Sequence, residues 1–196
     1  MPVFSDILNQ GRKGLYNPGL MDSRDWFREK ARAVMSANPT KIITGNTTMQ
    51  RNRVMPGYMY LFGYDPKYKD TLPYYDRFPL VFPFSVTGDS FTGINVHYLP
   101  HLLRARLMDA LYGITTDVHF NEKTKLRMSY QTLVSSSKYK YFEPCVKKYL
   151  FSHLQTRFLM IPSNEWDIAM FLPLERFTTS KSLVYKDSTN KISGIR

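Results

Sequence analysis

Phe78-Pro79-Leu80-Val81-Phe82-Pro83-Phe84-Ser85-Val86, then Thr87-Gly88-Asp89-Ser90, then Phe91-Thr92-Gly93-Ile94-Asn95-Val96-His97-Tyr98 reads as strand, turn and strand. The flanking runs are aromatic and β-branched, and the four residues between them are turn formers, which is the pattern of a hairpin. Pro79 and Pro83 sit four apart, so both fall on one side of the ladder and donate nothing to it. The first strand is therefore expected at a sheet edge or strongly bent. Upstream, Tyr58-Met59-Tyr60-Leu61-Phe62-Gly63-Tyr64 supplies another strand, closed by the turn signal Asp65-Pro66. Three short strands punctuated by Gly and Pro predict a small, strongly curved antiparallel sheet, a partial SH3-like barrel.

Outward from the sheet the periodicity changes from two to nearly four. Pro100 opens a helix to about Tyr112, with Leu103, Leu107 and Leu111 on one face and Gly113 as its cap. Further helices are expected over Ser129 to Ser136, over Pro144 to Leu154, and from the cap Ser163 through Trp166 and Met170 to a stop before Pro173. Phe158 to Ile161 reads as a short strand. On the N-terminal side, residues 1–21 read as an irregular arm, Arg24 to Ser36 as a helix, and 40–53 as a polar loop. After Thr178 the chain turns polar and reads as a tail. The expected organisation is an N-terminal arm and helix (1–53), one α+β core domain (54–178) and a basic C-terminal tail (179–196), with the helices packed on the sheet.

The chain has 196 residues, 43% of them apolar and 15% aromatic, which suits one domain with a self-sufficient core and not a disordered chain. No apolar run approaches a membrane span, and the start lacks the basic-then-apolar pattern of a secretory leader. One cysteine, Cys145, excludes an internal disulfide framework and any Cys-rich zinc site. These features predict a soluble protein of a reducing compartment. Lys and Arg number 27 against 16 Asp and Glu, a net charge of +11 that calls for an acidic partner. The surplus concentrates between Lys123 and Arg157, which hold eight basic residues and one acid, Glu143. Inside that stretch Lys138-Tyr139-Lys140-Tyr141 alternates cations with rings. The alternation suits a polyanion with stackable bases, and equally a solvated strand with one apolar face.

Catalytic signatures are sparse. His97 and His101 are four apart, but Tyr98-Leu99-Pro100 intervenes and no helix joins them as a metal pair would require. Cys145 falls near the start of an expected helix, where a thiol can be acidified, yet no histidine is nominated as its partner. Asp65, Asp70 and Asp76 share one loop region, and Asp65-Pro66-Lys67 has the acid-x-Lys spacing of some metal-dependent nucleases. Pro66 makes it a turn signal first. No phosphate-binding Gly-rich loop, nucleophile elbow or dinucleotide fingerprint occurs. The densest block, Leu72 to Phe84, places Tyr74, Tyr75, Arg77, Phe82 and Phe84 either in the closure of the sheet or on a contact surface.

Several blocks carry a resemblance. Tyr64-Asp65-Pro66-Lys67, Leu72-Pro73-Tyr74-Tyr75-Asp76-Arg77-Phe78-Pro79-Leu80, Gly93 to Pro100, Leu103-Arg104-Ala105-Arg106-Leu107-Met108-Asp109, Arg157-Phe158 and Leu172-Pro173-Leu174-Glu175-Arg176-Phe177 resemble small virion proteins of T-even-type contractile-tailed phages. They cover about half of the chain and leave out the N-terminal arm. The resemblance implies a non-enzymatic virion component made in the host cytoplasm. It would be either a DNA-end protector that completes the head or a tail or baseplate subunit. Its partners would be other virion proteins and double-stranded DNA ends, with no membrane, cofactor, metal or small-molecule substrate. If DNA is the partner, Lys138, Lys140, Lys147, Lys148 and Arg157 are expected to neutralise phosphates while Tyr139 and Tyr141 stack on exposed bases. In the tail version the same cations face acidic protein and Tyr74 to Phe84 is the interface. A metal-dependent nuclease is the third reading.

Overall fold

The computed structural model describes residues 3, 4, 28, 37–117, 119 and 121–194. The expected arm (1–21) and helix (24–36) lie outside the described residues, apart from the buried turn at Val3 and Phe4 and helical Arg28. The fold is α+β. In chain order the elements are α1 (Pro39–Gly45), β1 (Gln50–Arg51), β2 (Met59–Leu61), β3 (Leu80–Val86), β4 (Ser90–Asn95), α2 (His101–Thr116) and α3 (Glu122–Ser137). β5 (Val146–Leu150), β6 (Phe158–Ile161), α4 (Trp166–Phe171) and α5 (Lys181–Ser193) complete the chain. All strand pairs are antiparallel, in the order β1-β6-β2-β3-β4-β5. The sheet is open, with β1 and β5 at its edges, and does not close as a barrel.

The β3–β4 hairpin forms as its residues demand, with Thr87 and Ser90 closing the turn through Thr87 N–H to Ser90 O at 2.8 Å. Yet β3 is interior. The register slips between Pro83 and Ser85, so Pro83 sits at a bulge and not at an edge, and Pro79 lies just before the strand. Strand alternation sorts the sheet into two faces. Met59, Leu61, Leu80, Phe82, Ile94, Leu159 and Ile161 face the helices and join Leu107, Leu111, Leu133, Trp166, Ile168 and Met170 in the main core. Phe82 lies edge-on to Trp166 with ring centres 4.8 Å apart. The opposite face carries Tyr60, Phe62, Tyr64, Phe91, Tyr149 and Phe158 as a second, mainly aromatic cluster, in which Phe62 is edge-on to Tyr149 at 5.3 Å and to Phe158 at 5.1 Å.

Several expectations are corrected. Residues 40–53 are not a loop: α1 is capped by Asn38, whose side chain accepts from Lys41 N–H, and β1 pairs with β6. Gly113 does not cap α2, which continues to Thr116. The helix expected over 129–136 begins at Glu122, where Asn121 accepts from Thr124 N–H. Pro144 to Leu154 is not a helix: a 3-10 turn (Lys140–Cys145) leads into β5. Val146, Leu150 and Leu154 have helical spacing, but β4 offers an unpaired edge, and pairing there satisfies a whole ladder of backbone groups. The polar stretch after Thr178 is not a tail. It folds as α5, capped by Ser180 and ended by Gly194 at φ +73°, a conformation glycine adopts without a Cβ clash. Strands thus flank the helical pair α2–α3 in sequence instead of preceding every helix.

Candidate nucleic-acid interface

β5 has strand β4 on one side and no strand on the other among the described residues. Along that outer side runs a cavity of about 530 Å³. Four consecutive β5 residues, Lys147 to Leu150, line it, so it follows the strand edge and not one face. The opposite wall is the loop from Tyr64 to Asp76, contributing Tyr64, Pro66, Lys67, Tyr68, Leu72, Tyr74 and Tyr75, and Tyr98 completes the lining. Six tyrosines and three lysines therefore meet at one groove, with Asp76 as the single acid.

The loop is held at both ends. Tyr64 bridges to Leu154, and Asp65 N–H donates to His153 O at 3.1 Å. Inside the turn, Lys69 and Thr71 N–H donate to the Pro66 and Tyr68 carbonyls, as the Asp65-Pro66 signal requires. At the far end Asp76 bridges to Phe177, Arg77 N–H donates to Arg176 O, and Thr178 N–H donates to Tyr75 O. Asp76 is the anchor. Its Oδ1 accepts from the backbone N–H groups of Phe78 and Arg176, both at 3.1 Å, and its Oδ2 lies 2.6 Å from His97 Nδ1. Asp76 therefore does not pair with Arg77, whose side chain is exposed.

Beneath this anchor is a buried polar network. Arg104 is fully buried and donates to the carbonyls of Leu99, Met170 and His97 and, at 2.6 Å, to the Tyr185 hydroxyl of α5. Glu175 accepts from Lys181 Nζ at 3.0 Å and from Tyr185 OH at 3.2 Å. Burial works to raise the Glu175 carboxyl. His97, Arg104, its own backbone N–H and Lys181 outweigh that and hold it down at about 2. The network ties α5 to the start of α2 and, through His97, to the groove loop.

The groove has its own electrostatics. Burial lowers the Lys147 ammonium, Lys191 lowers it further and Cys145 opposes the shift. Lys147 Nζ sits over the Tyr98 ring, 4.4 Å from its centre. Lys148 and Lys67 are exposed. Burial, with Asp187 beside it, pushes the Tyr74 phenol up to about 12. Burial also raises Tyr64, Tyr98 and Tyr149, so these hydroxyls stay protonated at neutral pH. Cys145 is buried beside the strand, and burial raises its thiol, which removes it as a nucleophile.

The expected site residues divide. Lys147, Lys148, Tyr74 and Tyr75 converge on the groove, although the first pair was assigned to phosphates and the second to a protein interface. Lys138, Tyr139, Lys140 and Tyr141 are exposed, the two rings at 61% and 55%, at the end of α3 and in the 3-10 turn before β5. They form neither a strand nor an apolar face. Lys140 Nζ lies at the C-terminus of α5, close enough that a Cβ on Gly194 would be 2.8 Å away. Arg157 precedes β6, separated from β5 by β2, β3 and β4 in the sheet, and does not line the groove. Phe82 is fully buried and offers no contact surface, whereas Phe84 packs against the main core and stays partly exposed. Tyr64, Lys67, Tyr68, Tyr98 and Tyr149 are groove residues that the site reading missed; Lys67 and Tyr68, just after Asp65-Pro66, carried a turn signal that implied exposure.

Among the described residues no group of three or more His, Cys, Asp or Glu is placed to hold a metal. Asp65 of the acid-x-Lys motif is spent on an exposed ion pair with Lys69 at 2.9 Å. No described helix is long and apolar enough to cross a membrane. No curated protein and no solved structure matches the chain. Residues 17–192 of the 196, taking in much of the N-terminal region, match the model of the family described as phage T4 terminal DNA protecting protein. With nearly its whole length matched, this chain belongs to the phage T4 terminal DNA protecting protein family.

Proposed function

We propose that the protein is a non-enzymatic virion component that seats on the end of linear double-stranded DNA, using the groove along β5 as its contact surface. The observation that carries this reading is the meeting of Lys67, Lys147 and Lys148 with the rings of Tyr68, Tyr74 and Tyr75, which keep exposed surface at the groove while Tyr64, Tyr98 and Tyr149 are buried in its wall, in a chain of a DNA-protecting family. Lysines neutralise phosphates and release counterions, which supplies affinity without sequence preference. Tyrosine rings accept the faces of bases, and only a duplex end presents an unstacked base face. A protein that must close any end needs no sequence readout, and nothing in the groove resembles a major-groove reading helix. Lys138, Tyr139, Lys140 and Tyr141 continue the cationic surface next to β5 and would follow the phosphate backbone away from the end.

The family match favours this reading over a tail or baseplate subunit. A nuclease draws no support from a groove in which Asp76, the one acid among the described lining residues, is engaged by His97 and two backbone donors. Incubation of linear duplex with the protein, followed by exonuclease, tests the proposal. Bound ends should resist digestion, and a covalently closed circle of the same sequence should bind much more weakly. Equal binding to circle and linear DNA, or ends digested at the unprotected rate, would overturn it.

A further inference from the structure

We propose that the groove holds one unpaired terminal nucleotide, its base against the tyrosine rings and its phosphate against Lys148 and Lys67. The inference rests on the end-binding reading above and adds what part of the end is bound. Size argues first. A cavity of 530 Å³ is within the range of about 300–1,000 Å³ for small-molecule sites. A groove of that volume can take one nucleotide drawn out of the stack and is too small to enclose a duplex.

The polarity of the lining agrees. Tyr64 OH accepts from Leu150 N–H at 3.1 Å and Tyr149 OH accepts from Asn95 Nδ2 at 3.0 Å. With that lone pair occupied, each phenol keeps its own hydrogen to donate. Phosphate oxygens, base carbonyls and unprotonated ring nitrogens are the acceptors that a nucleotide offers to such donors. The one carboxylate among the described lining residues, Asp76, is buried and engaged on both oxygens by Phe78, Arg176 and His97, so its oxygens are taken up inside the fold. Tyr68 is 63% exposed at the mouth with Lys67 Nζ 5.3 Å from its ring centre, a cation and a ring presented together to an incoming nucleotide.

The test measures affinity for duplexes of one sequence with blunt ends, with a single unpaired 5′ or 3′ nucleotide, or with both ends closed by hairpins. An unpaired nucleotide on one of the two strands should bind about tenfold more tightly than the blunt end, the scale of one base stacked on a ring. Tyr68→Ala, a change at an exposed ring whose retained fold is checked by circular dichroism, should bring that ratio near one. Equal affinity for blunt and overhanging ends, or a preference unchanged in Tyr68→Ala, overturns the inference while leaving end binding in place. Failure of every open end to bind better than the hairpin-closed duplex removes the end-binding reading, and this inference with it.

Discussion

Two neighbouring cationic stretches, Lys138–Tyr141 and Lys147–Leu150, have similar composition and different fates. The first lies on the outside of a helix end and a 3-10 turn, its rings more than half exposed and its charges in water. The second is an edge strand facing a tethered loop, and its charges and rings are gathered into a concavity. Exposed charges spaced beyond about 10 Å are screened at ordinary salt, so the first stretch supplies attraction without geometry. The second supplies both. What makes a binding site of lysines and tyrosines is the wall opposite them, and here that wall is held by Asp76.

The sharpest way to break the contrast is Asp76→Ala. It leaves His97 and two backbone donors unmatched in the interior and releases the loop. We expect a loss of about 3–5 kcal/mol in urea unfolding, together with loss of DNA-end binding. Acid attacks the same network from below. Glu175 has its carboxyl depressed to about 2 in the fold, so its contribution is complete above its ordinary value near 4.5 and disappears as pH falls through that interval. Titrated unfolding should show on the order of 3 kcal/mol lost between those limits, and Glu175→Gln should flatten the profile there. Gly93→Ala strikes the hairpin that carries β5. A Cβ there would lie 2.6 Å from the Phe82 carbonyl oxygen and would also press on Val81, costing about 1–3 kcal/mol in thermal or urea unfolding. The smallest effect belongs to the exposed stretch. Lys138→Ala with Lys140→Ala should weaken duplex binding about two- to threefold at low salt, with the loss vanishing at high salt.

The strands and the main helix were legible because their periodicity is also their burial. Phe158 to Ile161 is a short unbroken apolar run, and it is β6, an inner strand with both faces covered; Leu107 and Leu111 share a stripe, and both are buried on α2. β5 and α5 were not legible, for different reasons. Val146, Leu150 and Leu154 mimic a helix face, and only the waiting edge of β4, a partner more than fifty residues away in sequence, decides for strand. α5 is mostly polar because its buried face is small: Val184 joins the core, Ser188 is buried beside it one turn on, and Tyr185 reaches Arg104 by its hydroxyl. The basic character of 138–148 and the ring-rich 74–75 were readable separately. That they belong to one groove depends on Asp76 meeting His97 across 21 residues, and no local pattern announces such a pair.

The central claim is that the β5 groove, through Lys147 and Lys148, holds the phosphates at a DNA end. It is tested most directly by the salt dependence of affinity for a blunt duplex, measured for the protein and for Lys147→Ala with Lys148→Ala. The account predicts a linear fall of log affinity with log salt whose slope is smaller by about two in the double variant, with binding about tenfold weaker at moderate salt. A slope and affinity unchanged by the double substitution, in a protein that still folds, would contradict it.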